Sequence, residues 1–147
     1  MAQEINKINQ DPAAMPPASL AFLGDSVFEM YIRSVVLERH KGNIGILNKY
    51  SKSYSNARSQ AHMADIMQDG LTEEEMTIYK RGRNHKSLSV PKSCSVSEYR
   101  RATGLEALMG YLYLQGKHER IKELINSGIY EIDRWLQEQG SDHSIPV

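Results

Sequence analysis

The sequence predicts an all-α protein, a helical bundle, from three observations. Apolar residues recur at steps of three and four along most of the chain, the spacing that keeps them on one face of a helix. Helix start and stop signals punctuate those stretches. No convincing run of alternating apolar and polar residues reads as a half-buried strand. At 147 residues, 40% hydrophobic and 24% charged, the chain is globular in composition and large enough for one domain with a substantial core.

Taken in order, residues 1–18 form a flexible leader that ends around Pro16-Pro17, with Ser19 a candidate N-cap for the first helix. That helix runs to about His40 and is closed by Gly42. A second helical stretch begins near Ile44, carries Leu47, Tyr50 and Tyr54, and breaks or bends before Ala61. A short helix follows over Ala61 to Met67, stopped by Gly70. Thr72-Glu73-Glu74-Glu75 has the spacing of a capping box, and its three acids suit the positive end of a helix dipole. The helix it opens ends among Lys80, Arg81 and Arg83, cations that suit the negative end. Residues 85–96, rich in Ser and containing Pro91, read as an exposed loop. Ser97 is a candidate cap for a helix over Glu98 to Gln115, stopped by Gly116. The last helix, about His118 to Gln139, places Ile121, Leu124, Ile125, Ile132 and Leu136 on one side. One domain over 19–139 is expected, with 140–147 a flexible tail.

Several classes are disfavoured. No apolar stretch approaches the roughly 18 residues needed to span a bilayer. Residues 1–17 lack the basic start and apolar run of a secretory signal. The single cysteine, Cys94, leaves no intrachain disulfide and too few thiols for a zinc ribbon, so a reducing cytoplasm is the simplest compartment. Formal net charge is zero, yet the charges are segregated. Lys41 to Ala64 holds four basic residues and no acid; Lys80 to Arg101 holds seven against Glu98 alone, a net of +6. Such segregation builds a positive face if the segments converge, and a set of ordinary solvated helix faces if they do not.

Two carboxylates stand out. Asp25 lies in Leu20-Ala21-Phe22-Leu23-Gly24-Asp25-Ser26-Val27-Phe28-Glu29-Met30, a run apolar on most sides. Either Asp25 is desolvated and needs a cation, donor or metal, or it is partly exposed in ordinary polar contacts. Glu106 sits in a similar setting, among Ala102, Gly104, Ala107 and Gly110, small residues that permit close helix approach as Gly24 does. Two such helices packed together would bring Asp25 and Glu106 to one site. Paired oxygen ligands suit magnesium, which keeps several waters and leaves room for phosphate oxygens. His62 and His85 read as bystanders, Cys94 has no activating base in its segment, and Tyr50, Tyr54, Tyr99, Tyr111 and Tyr113 read as core or dimer contacts.

Phe22-Leu23-Gly24-Asp25-Ser26 is similar to the signature of the ribonuclease III family, and Leu105-Glu106-Ala107-Leu108-Met109-Gly110-Tyr111 resembles its second acidic motif. Ala57 to Ala61, Lys80 to Ser87 and Tyr99 to Thr103 resemble the small bacterial branch of that family, the Mini-ribonuclease III type, which lacks a double-stranded-RNA-binding domain. The resemblance spans about Ser19 to Gln139. It implies a helical endonuclease domain, a homodimer, and magnesium-dependent cleavage of double-stranded RNA, with manganese as a substitute, leaving 5′-phosphate and 3′-hydroxyl ends. It also implies maturation of the 23S ribosomal RNA precursor, with ribosomal protein L3 as a stimulating partner. By position Asp25 is the principal catalytic carboxylate and Glu106 the second metal-site acid. Ala21 and Thr103 stand where longer relatives carry two further acids, so Thr103 and Glu29 become outer-shell candidates.

Without a separate RNA-binding domain, this domain must grip its own substrate, through phosphates, 2′-hydroxyls and A-form shape. Arg81, Arg83, Asn84, Lys86, Lys92 and Arg100 are the candidates for that contact, with Ser87 as an added hydrogen-bonding group and Lys52 and Arg58 as a second group. Two other readings stand beside the nuclease: a non-catalytic RNA-binding assembly factor, and a helical dimerisation module.

Overall fold

The computed structural model describes residues 9–86 and 89–140. Six α-helices occur among them: α1 Pro17–Arg39, α2 Ile44–Ser55, α3 Ala57–Met67, α4 Glu73–Arg83, α5 Val96–Leu114 and α6 His118–Glu138. Short 3₁₀ turns occupy Pro12–Ala14 and Gln68–Gly70. The tail beyond Gly140, residues 1–8 of the expected leader and Ser87 lie outside the described residues; the rest of that leader carries the turn Pro12–Ala14 and the first two residues of α1.

Helix α5 is the centre of the bundle, packed against α1, α3 and α4, with α6 crossing α3 and the far side of α5. Its buried set, Leu105, Ala107, Leu108, Met109, Tyr111 and Leu112, goes round the helix rather than along one stripe. Small residues let two neighbours approach it closely. A β-carbon on Gly24 would fall 1.6 Å from the Glu106 carbonyl oxygen, and one on Gly110 would fall 2.1 Å from that of Leu20. On the α4 side Gly82 and Gly104 face each other in the same way, each within 2.9 Å of the opposing helix. The α1–α5 crossing at Gly24 and Gly110 therefore sets where the residues beside those glycines end up.

Local chemistry explains most boundaries. The capping box at Thr72 forms as its spacing predicts: the Glu75 amide donates to Thr72 Oγ1 at 3.1 Å and the Thr72 amide to Glu75 Oε1 at 2.9 Å. The break expected before Ala61 falls at Asn56. Its side chain accepts from the Ser59 amide at 2.9 Å and donates to the Lys52 carbonyl at 2.7 Å, ending α2 and starting α3. Two expected caps are displaced. Ser95, not Ser97, caps α5, because its spacing to Glu98 allows a reciprocal box and the residue three beyond Ser97 is Arg100, a donor. Ser19 lies inside α1, which starts at Pro17, where a missing N–H costs nothing; the Pro16 carbonyl accepts from the Ser19 and Leu20 amides. Gly42 likewise follows the end of α1, which His40 closes in an extended conformation. Gly116, at φ 73°, reverses the chain after α5 as expected.

Helix α6 is tied to α4 by one buried charge. Glu75, 4% exposed, receives two hydrogen bonds from Arg120, at 2.9 and 2.8 Å, while Arg120 also donates to the Gly70 carbonyl at 2.7 Å. Burial would raise the Glu75 pKa, but Arg120 and the Thr72 amide outweigh it and hold the carboxyl below its usual range. Arg120→Ala leaves that carboxylate buried without a cation, and the expected loss is about 3 kcal/mol at pH 7 in urea denaturation. A carboxyl held low contributes stability above its unfolded pKa and loses it as pH falls through the folded one. The gap between variant and wild type should therefore narrow below about pH 4.

Candidate active site and nucleic-acid interface

The α1–α5 crossing brings the two predicted acids together. Asp25 follows Gly24 on α1, Glu106 lies on the α5 turn opposite, and their carboxyls are close enough to interact. They line a pocket of about 240 Å³ together with Ala18, Ala21, Phe22 and, from α5, Tyr99 and Thr103; His85, just past α4, completes it. Ala21 and Thr103, the two positions where the resemblance leads one to expect further acids, line the same space as Asp25 and Glu106.

Of the two readings open for Asp25 the exposed one holds, and the burial falls on Glu106. Asp25 is exposed and Glu106 half-buried, because the small Ala18 and Ala21 leave the α1 side of the pocket open. Burial first, then the Asp25 carboxyl beside it, push the Glu106 pKa up to about 8. Ionising Glu106 beside the Asp25 carboxylate is therefore disfavoured. A divalent cation would offset that cost, and two carboxylate oxygens suit magnesium, the rest of its coordination being water. No cluster of three or more His, Cys, Asp or Glu side chains arranged for a metal occurs among the described residues. The carboxylate oxygens this pocket offers are those of Asp25 and Glu106. Thr103 Oγ1 donates to the Tyr99 carbonyl at 2.9 Å, so its lone pairs can still accept from water in the pocket. Glu29 does not join this pocket. It lies one turn on, in a groove along the outer face of α1 that begins at Asp25 itself, ion-paired with Arg33 at 3.0 Å.

Beside the acids lies the basic surface. Arg83, Asn84, Val96, Ser97, Arg100 and Arg101 line a depression of about 500 Å³ between the end of α4 and the start of α5. Asn84 also belongs to a neighbouring depression with Lys80, Arg81 and His85, and His85 opens onto the acid pocket. Acids and cations thus form one continuous surface. Arg100 is exposed on it, Lys86 and Lys92 are exposed in the segment between α4 and α5 without lining these depressions, and Arg83 lies over the Tyr79 ring at 5.7 Å while donating to Asn84 Oδ1 at 3.3 Å. Arg58 reaches the same end of α5 through Glu98 at 3.7 Å, and Lys52 is exposed on the last turn of α2. Two cations are otherwise engaged: Arg101 pairs with Asp65, and Arg81 donates to the carbonyls of Ala13 and Met15.

Sequence reasoning undervalued two residues. Tyr99 was expected as a core or dimer contact and His85 as a bystander, yet both line the acid pocket. For Tyr99 a signal existed: Tyr99, Thr103 and Glu106 are spaced four and three apart, on one face of α5.

The ribonuclease III domain family matches residues 18–117, the stretch that carries the acid pocket and most of the basic surface. The chain is 39% identical to Mini-ribonuclease 3 of Symbiobacterium thermophilum, covering 84% of this chain and 95% of that one. It is 35% identical to Mini-ribonuclease 3 of Clostridium tetani, covering 97% and 94%. The crystal structure of a Fusobacterium nucleatum protein, 41% identical, superposes with a TM-score of 0.75 over 84% of this chain and 98% of that chain. Sequence, fold and the matched stretch agree: the chain belongs to the ribonuclease III domain family of endoribonucleases.

Proposed function

We propose that the protein cuts double-stranded RNA in a magnesium-dependent reaction at the Asp25–Glu106 pocket. The observation that carries this reading is the pocket itself: a desolvated carboxylate beside a second one, opening onto a basic surface. Asp25 and Glu106 would hold the ion, and Thr103 would accept from one of its waters; Glu29, paired with Arg33, is less suited to that outer role. Magnesium bound there would supply an acidified water and stabilise negative charge on the phosphodiester. Arg83, Asn84, Lys86, Lys92 and Arg100 would fix the duplex by its phosphates and ribose hydroxyls, with Lys52 and Arg58 extending the grip. Water oxygen would bond to phosphorus as the P–O3′ bond breaks, giving a 5′-phosphate and a 3′-hydroxyl.

The proposed substrate is the duplex stem of the 23S ribosomal RNA precursor, in the cytoplasm, with ribosomal protein L3 as a stimulator. No helix among the described residues is long and apolar enough to cross a membrane. A homodimer is proposed through the outer face of α1, where Phe22, Met30 and Leu37 are 83%, 52% and 66% exposed at helical spacing. Symmetry would then place two pockets and two basic surfaces along one duplex.

The test is cleavage of an end-labelled RNA duplex by purified protein, with magnesium or with chelator, against the same RNA as single strands. Magnesium-dependent cuts in the duplex alone are expected. Arg100→Ala should weaken duplex binding and lower the salt slope by about one, with little change in rate at saturation. Tight binding with no cutting, on both a generic duplex and the precursor stem, would move the protein to the assembly-factor reading.

A further inference from the structure

Residues 11–17 are held as a strap across the end of α4. Asp11 accepts from the Ala13 amide at 3.1 Å through its side chain and from the Ala14 amide at 3.0 Å through its carbonyl. The Met15 amide donates to the Pro12 carbonyl at 3.2 Å, and the Met15 side chain packs on the core. The turn also touches α5. The tie to α4 is Arg81: Nη1 donates to the Ala13 carbonyl at 2.7 Å and Nη2 to the Met15 carbonyl at 3.1 Å. The planar guanidinium holds these two donors in a fixed fork, where a lysine ammonium is a single point charge on a flexible stem. The next residues of the chain are the wall of the acid pocket, Ala18, Ala21 and Phe22, followed by Asp25 itself.

We propose that Arg81 is a positioning residue of the nuclease: by holding the Ala13 and Met15 carbonyls it fixes where α1 begins, and hence where Asp25 stands against Glu106. It works through the strap and does not bind RNA. An Arg81 contact to phosphate would have to release both carbonyls first, whereas Arg100, exposed on the same surface, has no such tie to the strap. The inference rests on the nuclease reading for its effect on rate, and on the geometry alone for its effect on the strap.

The experiment compares wild type with Arg81→Gln, Arg81→Lys and Arg100→Ala, each as the full chain. Three quantities are read: duplex affinity against salt, single-turnover cleavage at saturating protein with magnesium, and hydrogen exchange at the amides of Ala13, Ala14 and Met15. Arg81→Gln is expected to leave the salt slope unchanged, cut the saturated rate about tenfold or more, and speed exchange at the three amides. Arg81→Lys, able to reach one carbonyl, should fall between Gln and wild type in both rate and exchange. A salt slope lower by about one with an unchanged saturated rate, the behaviour expected of Arg100→Ala, would overturn the proposal in favour of a phosphate contact. Unchanged exchange would overturn it as well. A wild type that binds duplex and never cuts would sink the nuclease reading by itself, with the exchange comparison still deciding whether Arg81 holds the strap.

Discussion

Gly24→Ala is expected to cost about 3 kcal/mol or more in urea denaturation, and to remove cleavage in whatever fraction still folds. Ala is normally the better helix former by about 1 kcal/mol, so propensity alone predicts the opposite sign. What decides is the neighbour. The added carbon would sit 1.6 Å from the Glu106 carbonyl oxygen and 2.8 Å from the Gly110 amide nitrogen, backbone atoms that no rotamer change can move. Helix α1 must then lift from α5 and take its packing with it. Two comparisons isolate the cause. Gly70→Ala, with nothing within 4 Å of the new carbon, should shift stability by less than about 0.5 kcal/mol. Gly128→Ala meets the Met63 Cγ and Sδ atoms at 2.4 and 2.7 Å, a flexible side chain that can swing aside, so its cost should lie between. If Gly24→Ala were as stable as Gly70→Ala, the close α1–α5 crossing would be wrong, and with it the geometry that joins the two acids.

The same crossing shows which parts of the site were readable in advance. Gly24 beside Asp25, and Ala107 and Gly110 after Glu106, put small residues next to acids on two apolar helices; close approach of the helices, and so of the acids, follows from residue size. Helix ends with reciprocal chemistry were equally readable, as at Thr72 and Glu75. Periodicity names the face a residue occupies but not what covers that face. It could not tell that Ala18 and Ala21 leave Asp25 open to solvent while α5 keeps Glu106 half-buried. Nor can local charge reveal a partner far along the chain. Arg81 looked like one of several interchangeable cations, yet its guanidinium is committed to carbonyls 68 and 66 residues away. Glu29 shows the reverse limit: it follows Asp25 by one turn and shares a groove with it, but it pairs with Arg33 and does not line the pocket that holds Glu106.

Glu106→Gln should move function and stability in opposite directions. In the role proposed for Glu106, as one of two carboxylates that would hold the ion, its loss should remove several kcal/mol of stabilisation from the cleavage step, at 1.36 kcal/mol per tenfold, so cutting should fall about a thousandfold or more. Duplex binding, which rests on the basic surface, should persist. Stability in the absence of metal has the other sign. A carboxyl whose pKa is about 8 in the folded protein, raised by burial and by Asp25, binds its proton more tightly folded than unfolded. Wild type therefore loses stability as pH rises from about 4.5 to about 8, and Gln, which never ionises, does not. Thermal unfolding in chelator should find the two proteins alike near pH 4 and the variant more stable by a few kcal/mol near pH 9. Magnesium should stabilise the wild type and narrow that gap, because an ion bound only by the folded state shifts the equilibrium toward it, and should do less for the variant. Asp25→Asn should abolish cutting as well and relieve the same repulsion, since it removes the charge that Glu106 faces. A Gln variant that is less stable at every pH, or that still cuts, would show that Glu106 is an ordinary packed side chain.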